Sequence, residues 1–211
     1  MALVLDGSAN TIGGLAVGGL PDGSVALADL ATTGTASNAT FLRGDGAFAA
    51  AGGGKFESYA IIADQKGSSS QGGTFSAGAW RTRDLNTEIA DADGIVSISS
   101  NQFTLGAGSY LLKGYASVYR TNGHQVRIYN DTDSTSVAVG CNGMSHNSFY
   151  TMNPSVVTGR VTITGNTVFE FQHRCATGVN TYGFGQYVSW GTNQYALVCL
   201  LYTSPSPRDR G

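Results

Sequence analysis

Apolar and polar residues alternate most clearly between Ser109 and Arg120. Tyr110, Leu112, Gly114, Ala116 and Val118 fall on one face of an extended chain, and Leu111, Lys113, Tyr115, Ser117 and Tyr119 on the other. The first face has the character of a sandwich core; the second is aromatic but carries a lysine. A further alternating run, His124 to Asn130, sets Val126 and Ile128 against Gln125, Arg127 and Tyr129. Between the runs lies Thr121-Asn122-Gly123, and Asn-Gly favours a tight hairpin because both residues tolerate positive φ. The two runs predict a paired antiparallel ribbon.

The same kind of pattern recurs at short intervals: Phe56 to Ala63, Ala79 to Asn86, Ile95 to Ser99, Gln102 to Leu105, Thr135 to Gly140, Ser155 to Thr164, Thr167 to Cys175, Thr181 to Trp190 and Gln194 to Tyr202. About ten strands punctuated by Gly, Asn and Asp predict an all-β sandwich or jelly roll. Near Gly159 the alternation of Val156, Arg160 and Thr162 against Val157, Val161 and Ile163 slips, which predicts a bulge or bend there.

Residues 1–54 are a different material, with twelve glycines, five charges and no sustained period of 2 or 3.6. Apolar triplets there are broken by Asp-Gly and Pro-Asp-Gly turns, and Ala49 to Gly54 reads as a flexible hinge. Such a segment cannot build a packed core alone, so it reads as a largely irregular fibre or attachment segment that orders when several chains wind together. The expected organisation is this segment, a β domain over 55–198, and a tail over 199–211.

Composition narrows the function. Only 12% of residues are charged and the formal net charge is −2, so no field draws the chain to nucleic acid or to an anionic membrane. No run of 18 apolar residues predicts membrane insertion, and the first twenty residues lack the basic start and apolar centre of a signal peptide. Cys141, Cys175 and Cys199 match neither a CxxC pattern nor a disulfide framework, and they read as free thiols.

Two stretches resemble known families. Gly23 to Ala49, GSVALADLATTGTASNATFLRGDGAFA, is similar to the N-terminal and shaft segments of bacteriophage tail-fibre and other virion appendage proteins. Most of Lys55 to Val198 resembles the C1q/tumour-necrosis-factor-like jelly roll found in phage and metagenomic structural proteins. The residues that carry this likeness are Arg83 to Thr87, Phe103-Thr104-Leu105 with Ala107 to Leu111, His124-Gln125 with Ile128 to Asn130, and Phe169 to His173. The resemblance implies a homotrimer with one sheet facing the threefold axis, which assigns Lys113, Tyr115, Ser117 and Tyr119 to the subunit contact. It also implies that the N-terminal segment meets other virion proteins, and that the chain is made in the host cytoplasm and displayed on the virion surface. Cys199 to Asp209, CLLYTSPSPRD, resembles the translation of a transposase adapter from sequencing libraries, which implies that the genuine protein is read only to about Val198.

No catalytic signature stands out: there is no G-x-S-x-G elbow, no H-E-x-x-H and no paired carboxylates, so no catalytic, cofactor-binding or metal-binding residue is assigned. Gly52-Gly53-Gly54-Lys55 lacks the earlier glycine and the following Ser or Thr of a phosphate loop. His124, His146 and His173 read as turn and strand-end hydrogen bonders rather than metal ligands. Asp91-Ala92-Asp93-Gly94 and Asp131-Thr132-Asp133 resemble calcium-loop fragments without the later acidic ligands. Arg43-Gly44-Asp45 spells an integrin tripeptide but sits in a turn-forming shaft phrase, and Asn38 and Asn130 begin glycosylation sequons.

Receptor contact is the chemistry left. The loops Gly140 to Pro154 and Ala176 to Tyr182 hold the Asn, Ser and Tyr that hydrogen-bond and stack on sugars, with Asn147, Phe149, Tyr150 and Tyr182 as the candidate receptor residues. The expected function is a non-enzymatic virion subunit whose trimeric tip contacts a host-surface glycan or protein. The alternatives are a C1q-like secreted adhesion module of a cellular organism and a fibre-tip polysaccharide depolymerase.

Overall fold

The computed structural model of the chain describes residues 4–6, 11–13, 33–35, 37, 40–42, 46–50 and 58–203, and no helix occurs among them. The chain divides into two compact units, Met1–Gly53 and Gly54–Gly211. In the first, strands β1 (Val4–Asp6) and β2 (Thr11–Gly13) pair antiparallel, as do β3 (Thr40–Leu42) and β4 (Phe48–Ala50). The integrin-like tripeptide, the Gly52-Gly53-Gly54-Lys55 run, Asn38 and residues 204–209 of the adapter-like tail lie outside the described residues.

The described residues of the second unit hold twelve strands: β5 (Ser58–Lys66), β6 (Arg81–Thr82), β7 (Thr87–Ala90), β8 (Val96–Ser99), β9 (Gln102–Leu105), β10 (Gly108–Tyr119), β11 (Asn122–Asn130), β12 (Thr135–Val139), β13 (Gly143–Ser145), β14 (Met152–Ile163), β15 (Thr167–Cys175) and β16 (Asn193–Thr203). One sheet runs β14-β10-β16-β5-β7. The other runs β12-β11-β15-β9-β8, with β13 on β11 and β6 on β15. Taking β5, β9, β10, β11, β12, β14, β15 and β16 as eight principal strands, one sheet has the order first, eighth, third, sixth and the other second, seventh, fourth, fifth. That interleaving is the jelly-roll sandwich, and it is the fold the resemblance implied.

Alternation fixes the core. Leu112, Ala116, Val157, Val198 and Leu200 point inward from the first sheet and meet Phe103, Val126, Ile128, Phe169 and Phe171 from the second; each is at most 1% exposed. A smaller apolar cluster of Phe75, Val118, Cys175 and Phe184 continues the core. The adapter-like residues 199–203 complete β16, with Leu200 opposite Leu112 and wholly buried.

Three expectations change. The stretch from Ser109 to Asn130 is not a paired ribbon: β10 pairs with β14 and β16, and β11 with β12, β13 and β15, so the chain crosses between sheets at Arg120–Thr121. Both strands carry an inward apolar face, and placing those faces against each other across the sandwich buries them. The positive φ values at the crossing belong to Arg120 (57°) and Asn122 (56°).

Gly159 forms no bulge, because β10 and β14 stay in register from Gly108↔Ile163 to Tyr119↔Met152. It faces inward where the sandwich closes, and a Cβ there would lie 2.5 Å from Ala138 Cβ on β12. Finally, Thr181 to Trp190 is not a strand and Ala79 to Asn86 keeps only β6. Both give up regular pairing where Arg83 turns into the core and takes the carbonyl of Phe184. The short strands β7 and β13 carry too little alternation to be seen in the sequence.

Candidate functional site

The crossing from β10 to β11 brings the two predicted loops together. Arg120, left-handed at φ 57°, donates from Nε to the carbonyl of Asn147 at 2.7 Å. Asn122 accepts from the Asn147 amide at 3.1 Å through Oδ1 and donates to Thr177 Oγ1 at 2.9 Å through Nδ2. One short turn therefore fastens the 140–154 loop on one side and the 176–182 loop on the other. A non-glycine residue in the left-handed region costs roughly 1 kcal/mol, so the arginine at 120 is held there by these contacts.

An aromatic shelf stands on this frame. Tyr119 meets Tyr182 edge-on at 5.3 Å between ring centroids and Tyr150 at 6.3 Å. The Arg120 guanidinium lies 5.9 Å from the Tyr119 ring and 5.7 Å from that of Tyr150, within cation–π range. Tyr150 is 86% exposed, and Phe149, 62% exposed, rests on His146 at 4.7 Å. Arg120, Asn147, Thr177 and Tyr182 line a crevice of about 280 Å³. A second, larger cleft of about 600 Å³ opens beside it, lined by Gln125, Asn142, Met144, Arg174 and Ala176 among others. Each concavity is lined by one arginine and no carboxylate.

All four predicted receptor residues, Asn147, Phe149, Tyr150 and Tyr182, thus sit on the two joined loops, with Asn147 and Tyr182 in the crevice wall. Sequence reasoning missed Arg120 and Thr177. Arg120 closes an apparent strand, and only the crossing turns it toward the loops. Of the four residues assigned to the subunit contact, Lys113 and Tyr115 are exposed on the outer face of the five-stranded sheet. Ser117 and Tyr119 are 8% and 4% exposed and covered by their own chain, so they offer little area to a neighbouring copy; the shelf itself occupies Tyr119.

Behind the larger cleft the core is polar. His124 and His173 are side by side, with Nδ1 of the first 3.0 Å from Nε2 of the second. A Cβ on Gly143 would lie within 2.3 Å of the His124 ring, so only glycine lets β13 cover it. Burial first, and then the charge of Arg83, holds His124 down to about 4 and His173 well below its ordinary value. Arg83 is wholly buried. Its guanidinium donates to the carbonyls of Tyr195 (2.9 Å), Phe184 (3.1 Å) and Ser117 (3.4 Å), stacks on the Phe184 ring and lies 4.0 Å from Asp64.

His146 stands apart in its loop, where its Nδ1 accepts from the Ser148 amide. Among the described residues no group of three or more His, Cys, Asp or Glu is placed to hold a metal ion. Asp91 instead accepts the amides of Ile95 and Val96, and Asp133 is tied to Asn130, whose burial also closes that sequon. All three cysteines are free.

No protein-family model matches the sequence, and no curated protein is similar to it. Solved structures with a similar course include murine APRIL at pH 8.5, at 8% identity and a TM-score of 0.44 over 69% of this chain and 98% of that one. The globular domain of zebrafish complement 1qA protein is similar at 16% identity and a TM-score of 0.44, over 68% of this chain and 95% of that one. These likenesses are to the course of the chain; the strand order given above is what makes this protein a jelly roll.

Proposed function

We propose that this chain is a non-enzymatic subunit of a virion appendage, such as a bacteriophage tail fibre, whose jelly roll forms a homotrimer and contacts a host-surface glycan. The observation that carries the reading is the convergence of Asn147 and Tyr182 with Arg120 at one crevice, with the Tyr150 ring 5.7 Å from the Arg120 guanidinium. Aromatic rings that present a flat face beside fixed polar groups are the chemistry that holds a sugar ring. The shaft-like wording of Gly23 to Ala49 supports the appendage role, with the N-terminal segment docking to other virion proteins.

Trimerisation is supported by the outer face of the five-stranded sheet. Tyr115 sits between Val156 and Leu197 in register, and Tyr59 opposes Leu201. Tyr59, Tyr115, Val156 and Ile89 are 43–55% exposed, an apolar surface broken mainly by Lys113 and Arg160. Three crevices per tip, multiplied by several tips per particle, raise weak single contacts to useful avidity. The same fold and crevice also suit a C1q-like adhesion module of a cellular organism.

A glycan array probed with the protein and with a Phe149→Ala, Tyr150→Ala, Tyr182→Ala triple variant tests the site. Binding by the wild type that the variant loses supports it, and binding that persists removes these loops. Electron microscopy of particles labelled with an antibody to residues 55–198 tests the appendage assignment.

A further inference from the structure

Resting on the glycan-receptor reading, we infer that the crevice selects a sugar bearing a carboxylate, with Arg120 as the group that reads it. The two loops that frame it, 140–154 and 176–182, contain no aspartate or glutamate. Among the described residues Arg120 lies within 4.0 Å of no carboxylate, and the one hydrogen bond of its side chain runs from Nε to the Asn147 carbonyl. That bond and the flanking rings of Tyr119 and Tyr150 fix the plane of the guanidinium and leave its two Nη groups without a protein acceptor among the described residues. A planar, oriented fork with two free donors matches the two oxygens of a carboxylate.

The backbone argues the same way. Position 120 has φ 57°, where asparagine or glycine would be at ease, yet it holds an arginine in that conformation. Tyr150 beside it is 86% exposed and free to stack on the pyranose ring while Arg120 takes the acid group. The larger cleft is likewise lined by an arginine, Arg174, and by no acidic residue, so a polymer with repeated acid groups meets a second cation there. The ligand class is a carboxylated pyranose, whose source is either a hexuronate polysaccharide or a sialylated chain.

The test is a titration of the full chain with three acidic probes and, for the two sugars, their neutral controls. These are a hexuronate oligosaccharide, the same oligosaccharide after reduction of its carboxyls to alcohols, sialyllactose against lactose, and poly-glutamate. At least about tenfold tighter binding of a carboxylated sugar than of its neutral counterpart is expected, and the preferred sugar identifies the source. Arg120→Asn is expected to abolish that preference while melting no lower than the wild type, because asparagine suits the left-handed backbone. Arg120→Lys, which keeps the charge but not the fork, is the second variant and is expected to lose most of the preference.

Equal binding of carboxylated and neutral sugars, or a preference that survives both substitutions, overturns the inference and leaves the glycan-receptor reading standing. Binding to no probe overturns the inference and leaves the glycan-receptor reading to the array, whereas binding to poly-glutamate alone overturns both.

Discussion

His124 Nδ1 and His173 Nε2 lie 3.0 Å apart inside the protein, and both rings are held neutral by burial and by the nearby charge of Arg83. Folded His124 titrates at about 4, whereas in the unfolded chain it titrates near 6.5. Between those values the unfolded state binds more protons, so the His124 share of stability is full above about pH 6.5, declines as the pH falls toward 4, and then levels, while the share of His173 declines in the same direction. The loss from His124 alone is about 3 kcal/mol. Asp64, raised by burial, acts in the opposite sense, its share being lost as pH rises through its folded value. Urea unfolding at about pH 7.5, 5.5 and 4 measures the slope, which a His124→Gln, His173→Gln protein is expected to flatten. A flat wild-type profile contradicts the account.

Arg83 is the polar centre of the core. Replacing it with methionine strands the carbonyls of Ser117, Phe184 and Tyr195 and removes the buried cation that lies 4.0 Å from Asp64, leaving that carboxyl only Lys66. The expected cost is about 3–5 kcal/mol in urea unfolding. Arg83→Lys is expected to recover little of it, because a single ammonium cannot span the acceptors that the guanidinium reaches.

Gly159 and Ala138 close one edge of the sandwich. Gly159→Ala places two Cβ atoms 2.5 Å apart and is expected to cost about 1–3 kcal/mol. Ala138→Gly in the same chain removes the clash, so a double-mutant cycle should show strong positive coupling; additive losses would mean that the contact is not what excludes a side chain at 159.

Tyr115 stands at the centre of the exposed apolar face. Tyr115→Glu buries a charge in the proposed threefold contact and is expected to give monomers in light scattering, with the melting profile of the isolated jelly roll retained. A trimer that survives the substitution removes this face from the assembly.

Leu200 packs opposite Leu112 with no exposed area, so Leu200→Ala is expected to cost about 2–5 kcal/mol. The same burial constrains the gene. If the residues after Val198 derive from adapter DNA, resequencing is expected to show a large apolar residue at 200 and alternation around it. A longer read that still encodes TSPSPRD overturns the adapter reading.

The sequence by itself determined most of the long strands and which way they face, though not β7 and β13, and it predicted a strand over Thr181 to Trp190 that the fold does not form. The bounds of β9 and β15 are those expected, and Tyr110, Leu112, Ala116 and Val118 point inward as their alternation required, because a period of two is a local property of the extended chain. It also placed Asn147, Phe149 and Tyr150 on a loop, and put Tyr182 where a predicted loop met the start of a predicted strand. What alternation cannot fix is a strand's neighbour. An inward face is satisfied equally by a hairpin partner's sheet or by a strand across the core, and only the tertiary structure decided that β10 and β11 cross between sheets. That crossing turns Arg120 toward the two loops and withdraws Tyr119 from the outer surface. It likewise assembles His124, His173 and Arg83 from three separate segments, a meeting set by long-range packing that no spacing along the chain records.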